Sequence, residues 1–95
     1  MKALTFSPAA QTDIEAIWDY TADIWGPDQA DHYTDDICDV SHALAVGTKQ
    51  GRPVDVRPGY LKFAAGSHMV YFRDHGDRVE IVRVLHNRQD TQRHL

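Results

Sequence analysis

Apolar side chains recur at helical spacing in the first half of this chain and cluster into short strand-like runs in the second. Residues 3–7 (Ala-Leu-Thr-Phe-Ser) form a brief strand signal that stops at Ser7-Pro8. Ser before Pro predicts a helix start: the serine oxygen can accept from the first free amides, and proline fits the first helical position. From there Ile14, Ile17, Trp18, Thr21, Ile24 and Trp25 fall within an arc of about 120°, with Glu15, Asp19 and Asp23 opposite. Gly26-Pro27 ends this helix and begins another. In the second helix Ala30, Tyr33, Ile37, Val40, Ser41 and Leu44 share one face, Asp28, Asp31, Asp35 and Asp39 occupy the other, and Gly47 is placed to stop it. The short link predicts an antiparallel helical hairpin.

Residues 48–59 hold two Pro and two Gly in twelve positions and read as a loop. Three strand signals follow, Tyr60 to Ala65, His68 to Arg73 and Arg78 to Leu85, with Gly66-Ser67 and Asp74-His75-Gly76-Asp77 as turns. In the second of these strands His68, Val70 and Phe72 face one side, and Met69, Tyr71 and Arg73 the other. The polar tail from His86 to Leu95 has too little apolar content to fold for its own sake beyond a short helical turn. The predicted order is β-α-α-β-β-β. This is an α+β domain, a helical hairpin packed on a small antiparallel-rich sheet.

The length, 95 residues, predicts a single domain spanning 1–95. No apolar run approaches the ~18–20 residues of a membrane span, and the opening residues do not read as a signal peptide, so a cytoplasmic protein without membrane contact is expected. The single cysteine, Cys38, excludes an internal disulfide and suits a reducing compartment. Charge changes the picture more. Residues 8–47 carry nine acidic side chains and no Lys or Arg, whereas residues 48–95 carry nine basic and five acidic ones, a net of +4. Such asymmetry suits either two differently solvated faces or two halves that meet different partners.

Several runs carry a family resemblance. Ile17-Trp18-Asp19-Tyr20 followed by Trp25-Gly26, then Arg57-Pro58-Gly59-Tyr60, then Gly66-Ser67-His68-Met69-Val70-Tyr71-Phe72-Arg73, and finally Val82-Arg83-Val84-Leu85-His86 with Arg88 and Asp90 stand in colinear order. Together with the element order, these resemble the RelE/ParE toxins of type II toxin–antitoxin systems, and the ParE branch in particular. The resemblance implies a toxin that blocks DNA gyrase in its DNA-cleaved state and is held inactive by a ParD-like antitoxin whose flexible tail wraps it. It implies no chemistry by the toxin itself, no cofactor, a hetero-oligomer with the antitoxin, and contact with DNA only through the antitoxin.

The rival within the fold is a RelE-type ribosome-dependent mRNA endonuclease. Metal-free RNA cleavage needs a base, an acid and cations for the charged transition state. His86, Arg83, Arg57 and Tyr60 are the candidates, with His68 and Arg73 as further groups of the right chemistry. Three lysines and a net charge of −4 argue against a protein seated on ribosomal phosphates. Met69 also stands where the mRNA-cleaving relatives tend to place a basic residue. His68, alternating with Val70 and Phe72, is expected to be packed and structural; His86, at a strand end, is the better functional candidate. His32 and His42 lie on outer helix faces, so no metal site is expected. Cys38 is expected to be a quiet thiol.

For antitoxin binding the expected residues are Trp18, Tyr33 and Ile37 on the hairpin, with Arg57, Arg73 and Arg83 receiving acidic groups. Arg83 is the most telling of these, because it interrupts the apolar run Val79, Ile81, Val82, Val84 and Leu85. For the target-facing surface the expected residues are His86, Arg88, Asp90 and Arg93 of the tail. A module that binds antitoxin but has lost toxicity is the third reading.

Overall fold

The computed structural model describes residues 2–89 and 91–95. The predicted elements are present: β1 (Ala3–Phe6), α1 (Pro8–Trp25), α2 (Pro27–Val46), then a two-residue strand β2 (Arg52–Pro53) inside the expected loop. β3 (Leu61–Ala65), β4 (His68–Asp74), β5 (Arg78–His86) and a single helical turn, α3 (Thr91–His94), complete the chain. The sheet runs β1-β5-β4-β3-β2, with β1 parallel to β5 and every other pairing antiparallel. The helical hairpin covers one face of the sheet, and the result is an α+β fold.

Local chemistry sets the element ends. Ser7 caps α1 by accepting from the Ala10 amide at 3.0 Å, while its own hydroxyl donates to the Val82 carbonyl at 2.6 Å. One side chain thus starts the helix and fastens it to β5. Gly47 closes α2 in the left-handed region (φ 88°, ψ 7°), with its amide donating to the Ala43 carbonyl at 3.0 Å.

The main core joins Ile17, Ile37 and Leu44 from the helices to Val70, Phe72, Val79, Ile81 and Val84 from the sheet. Each such side chain contributes about 1.5–3 kcal/mol on burial. Thr21, Thr34 and Ser41 are buried among them, and each donates to the carbonyl one turn back at 2.7–2.9 Å. No buried hydroxyl is therefore left unpaired at these positions.

A bulge explains why β5 does not alternate. Tyr71 pairs with Arg83 and Phe72 with Ile81, so Val82 has no partner on β4. One extra residue reverses the parity of the strand. Val79 and Ile81 face the helices before the bulge, and Val84 and His86 face them after it. Leu85 turns to the opposite face, where it packs with Val54, Tyr71, Tyr60, Met69 and Leu95. β1 pairs with β5 only from Arg78 to Ile81. Beyond the bulge the edge of β5 belongs to the α1 side.

Two expectations need correction. Ile24 and Trp25, expected on the buried stripe of the first helix, are 52% and 72% exposed. The last turn of α1 faces the ends of β4 and β5, where the sheet stops, so its apolar side meets a groove instead of the core. The tail also packs onto the domain. Leu95 enters the second apolar cluster, Thr91 Oγ1 lies 3.0 Å from the Tyr71 hydroxyl, and Arg57 donates to the Leu95 carbonyl. Truncation after Leu85 would uncover that cluster and confuse a binding defect with a folding defect.

Candidate functional site

β4 begins and β5 ends at the same level, and this register sets His68 directly opposite His86. Their rings meet edge to face, with centroids 5.3 Å apart. From α2, the Tyr33 hydroxyl accepts the Ser67 amide proton at 2.9 Å and lies 2.6 Å from His68 Nδ1. A phenol has one proton to give. Because its oxygen already accepts from Ser67, we assign the phenol as the donor to Nδ1, which leaves the proton of neutral His68 on Nε2. His86 Nδ1 accepts the Arg88 amide proton at 3.2 Å, which places the His86 proton on Nε2 as well. The register and two local hydrogen bonds thus select the same tautomer in both rings.

Burial first, and then repulsion from His86, push the His68 pKa below the ordinary histidine range; Asp13 opposes this in part. The unfolded chain therefore takes up this proton more readily than the folded one. The His68 contribution to stability is present above the ordinary histidine range and is lost as pH falls below about 6.5. Melting temperature followed from pH 8 to pH 5 should decline across that window, and His68→Phe should flatten part of the decline.

These rings line a groove at the open end of the hairpin. One part, about 350 Å³, is bounded by Asp13, Ile17, Tyr20 and Val84; a second, about 290 Å³, by Trp25, Gln29 and Tyr33. Both parts share Tyr20, His68 and His86. Tyr20 and Trp25, both largely exposed, give this groove an apolar rim. Gly66, in the left-handed region at φ 61°, permits this arrangement: a Cβ there would stand 2.7 Å from the Tyr33 hydroxyl. Gly66→Ala should push Tyr33 off His68 and destabilise the domain by about 2 kcal/mol. Chemical denaturation would read the stability loss, and ¹⁵N shifts of the imidazole the lost tautomer preference.

Asp13 anchors the other wall. Its carboxylate accepts from Arg83 Nε at 2.7 Å, Arg83 Nη2 at 2.9 Å and the Val84 amide at 2.9 Å. It thereby satisfies the β5 edge that β1 leaves open. The third Arg83 nitrogen, Nη1, donates to the His94 carbonyl at 3.0 Å. The hydrogen bonds that Arg83 donates to Asp13 raise its pKa further above its already high value. Arg83, expected to receive acidic groups of a partner, is engaged inside the domain. Ile37, also expected on the partner surface, is 1% exposed because α2 turns it into the core.

The remaining candidates divide by location. Arg57 and Arg73 both lie over the Tyr60 ring, at 5.3 and 5.2 Å from its centroid, forming a cationic and aromatic cluster on the face opposite the hairpin. Trp18 is half-buried and donates its indole proton to Asp31 at 2.8 Å, tying the two helices together. Arg88 and Arg93 are exposed on the tail. Asp90 lies outside the described residues. The nuclease candidates do not converge: His86 faces the hairpin, while Arg57 and Tyr60 belong to the other face.

Burial, followed by Asp35 and Asp39, raises the pKa of the half-buried Cys38 thiol and disfavours its nucleophilic form. Among the described residues no three His, Cys, Asp or Glu side chains are placed to share a metal ion. A larger cleft of about 420 Å³ lies at the far end of β4, but Lys2 and Asp74 on its rim pair with each other at 2.5 Å.

Asp13 and Tyr20 are the groove residues that sequence reasoning missed. Their signal was positional: Asp13 lies three residues after Ala10 and four before Ile17, on the buried stripe, and Tyr20 follows Ile17 by three.

Comparison with known proteins agrees with this architecture. Residues 4–91 match the family described as the ParE toxin of the type II toxin–antitoxin system, parDE. The chain is 45% identical to Toxin ParE1 of Mycobacterium tuberculosis (strain CDC 1551 / Oshkosh) over 91 residues, covering 94% of this chain and 93% of the relative. It is 38% identical to Toxin ParE1 of Caulobacter vibrioides over 96 aligned positions, covering 100% and 99%. A solved structure described as the chromosomal ParDE TA system from P. aeruginosa superposes with a TM-score of 0.79 at 26% identity, covering 90% of this chain and 96% of that one. With the fold, the colinear motifs and the full-length relatives in agreement, this chain belongs to the ParE toxin family of type II toxin–antitoxin systems.

Proposed function

We propose that this toxin arrests growth by inhibiting DNA gyrase, acting in the cytoplasm as a binding protein and not as an enzyme, and that a ParD-like antitoxin neutralises it. The observation that carries the antitoxin half is the groove lined by Tyr20 and Trp25, two large apolar side chains left mostly exposed. Such a rim suits a partner that supplies the missing apolar layer. A flexible antitoxin tail laying an amphipathic helix along the hairpin provides one. Arg57 and Arg73, held over Tyr60, suit acidic side chains of the same tail as it passes the other face. Tyr33 joins the groove floor, and Trp18 braces the hairpin beneath. The exposed Arg88 and Arg93 and the neighbouring His86 are assigned to the target, with Asp90 joining them on its place in the sequence alone. The likeness to the ParDE structure supports an antitoxin partner.

The test is purified toxin in a gyrase supercoiling assay, run beside a ribosome-programmed mRNA cleavage assay. Loss of supercoiling with accumulation of cleaved DNA, and intact mRNA, is the expected result. Cleavage of mRNA with gyrase untouched would replace this reading with the nuclease one. Inactivity in both assays, with antitoxin binding retained, would leave an antitoxin-binding module.

A further inference from the structure

Apolar contact alone does not account for the groove floor. Two imidazole rings stand side by side there, and each has its Nδ1 occupied by a hydrogen bond from the protein: the Tyr33 hydroxyl for His68, the Arg88 amide for His86. Both Nε2–H groups are therefore donors. No hydrogen bond from either is found among the described residues. Metal ligation through Nε2 is disfavoured, because it would move a proton onto an Nδ1 that is already accepting one.

Two neighbouring donors with an apolar surround match an oxyanion joined to an apolar stem. We propose that the His68–His86 pair is a receptor for a carboxylate, supplied by an Asp or Glu side chain of the antitoxin segment whose apolar neighbours cover Tyr20 and Trp25. This rests on the reading that an antitoxin occupies the groove, and names the polar contact that orients it. The surrounding charges permit it. From α1, Asp13 faces the pair, but Arg83 and the Val84 amide neutralise and occupy its oxygens. From α1 and α2 the other titratable groups are the phenols of Tyr20 and Tyr33. From β5 and its continuation come Arg83 and the backbone amide of Arg88.

A carboxylate would be held by the Nε2–H donors of the neutral rings, because protonating either ring would put a hydrogen on an Nδ1 that already accepts one. Wild-type toxin would be titrated with 3-phenylpropionate, and with 3-phenylpropanamide as the uncharged counterpart, while the ring resonances of His68 and His86 are followed by NMR. The acid should bind in the groove and move the ring resonances of both histidines. Its affinity should be about tenfold higher than that of the amide, because a charged acceptor makes the stronger hydrogen bonds. The amide should move those resonances little.

His86→Leu should abolish the preference for the acid. His86→Gln, which keeps a donor near the Nε2 position, should keep most of the preference. Equal binding of acid and amide to wild-type toxin, or unmoved histidine ring resonances, would overturn the proposal. Because the probe is a small molecule, that failure is separate from failure of the antitoxin reading, which an antitoxin-binding assay on wild-type toxin reports by itself.

Discussion

Replacing Asp13 by alanine is expected to destabilise the domain by about 3 kcal/mol, the largest effect of any single surface-proximal substitution proposed for it. The substitution removes the acceptor for three donors at once. Two are Arg83 nitrogens, and the third is the Val84 amide on the stretch of β5 that β1 does not reach. The side chains involved are only 14% and 24% exposed, so water replaces the lost bonds poorly. A loss of this size lowers the melting temperature of a domain this small by roughly 15 °C. Asp13→Asn retains an oxygen for the Val84 amide and should lose less. A double-mutant cycle with Arg83→Ala should show a coupling of about 1–3 kcal/mol. Additive single effects would mean that the two residues act independently despite their geometry.

The second large effect is on binding. Tyr20→Ala and Trp25→Ala should each weaken antitoxin binding by about 2–4 kcal/mol, roughly 30-fold to 1000-fold. Both side chains are more than two-thirds exposed in the free toxin. Their removal should therefore move the melting temperature little, because little buried area is lost. Calorimetric titration with antitoxin, together with a thermal melt of each variant, separates the two effects. Unchanged affinity in well-folded variants would place the antitoxin elsewhere on the toxin. Arg83→Glu is a poor probe of the same question. It would set a second carboxylate beside Asp13 and damage the fold before binding could be read.

Much of the architecture was legible in the chain. The Ser7-Pro8 start, the Gly26-Pro27 break and the Gly47 stop are local signals, and each marks a helix end in the structure. The Gly66-Ser67 turn likewise separates two strands as expected. The candidate site was less legible. His68 was expected to be packed and structural, and its bond to Tyr33 gives it such a contact, yet its side chain also lines the groove. His86 was expected to be the better functional candidate, but its pairing with His68 was not foreseen, because the two are joined only by strand register. Arg83 was expected to meet acidic groups of the antitoxin, and the structure pairs it instead with a carboxylate of its own chain. That partner lies 70 residues away on the first helix, where its place on the buried stripe was the one available clue.

The division follows from the range of the forces involved. Helix and strand periodicities, caps and turns arise between residues a few positions apart, so the chain alone determined the element order, the hairpin and the acidic and basic halves. The Val82 bulge, the Asp13–Arg83 pair and the facing histidines depend on which residue of one strand or helix stands beside which residue of another. A shift of one position in register would turn every side chain of β5 to the other face and dissolve all three. The apolar run from Val79 to Leu85 is compatible with either parity, and packing against the hairpin decided between them.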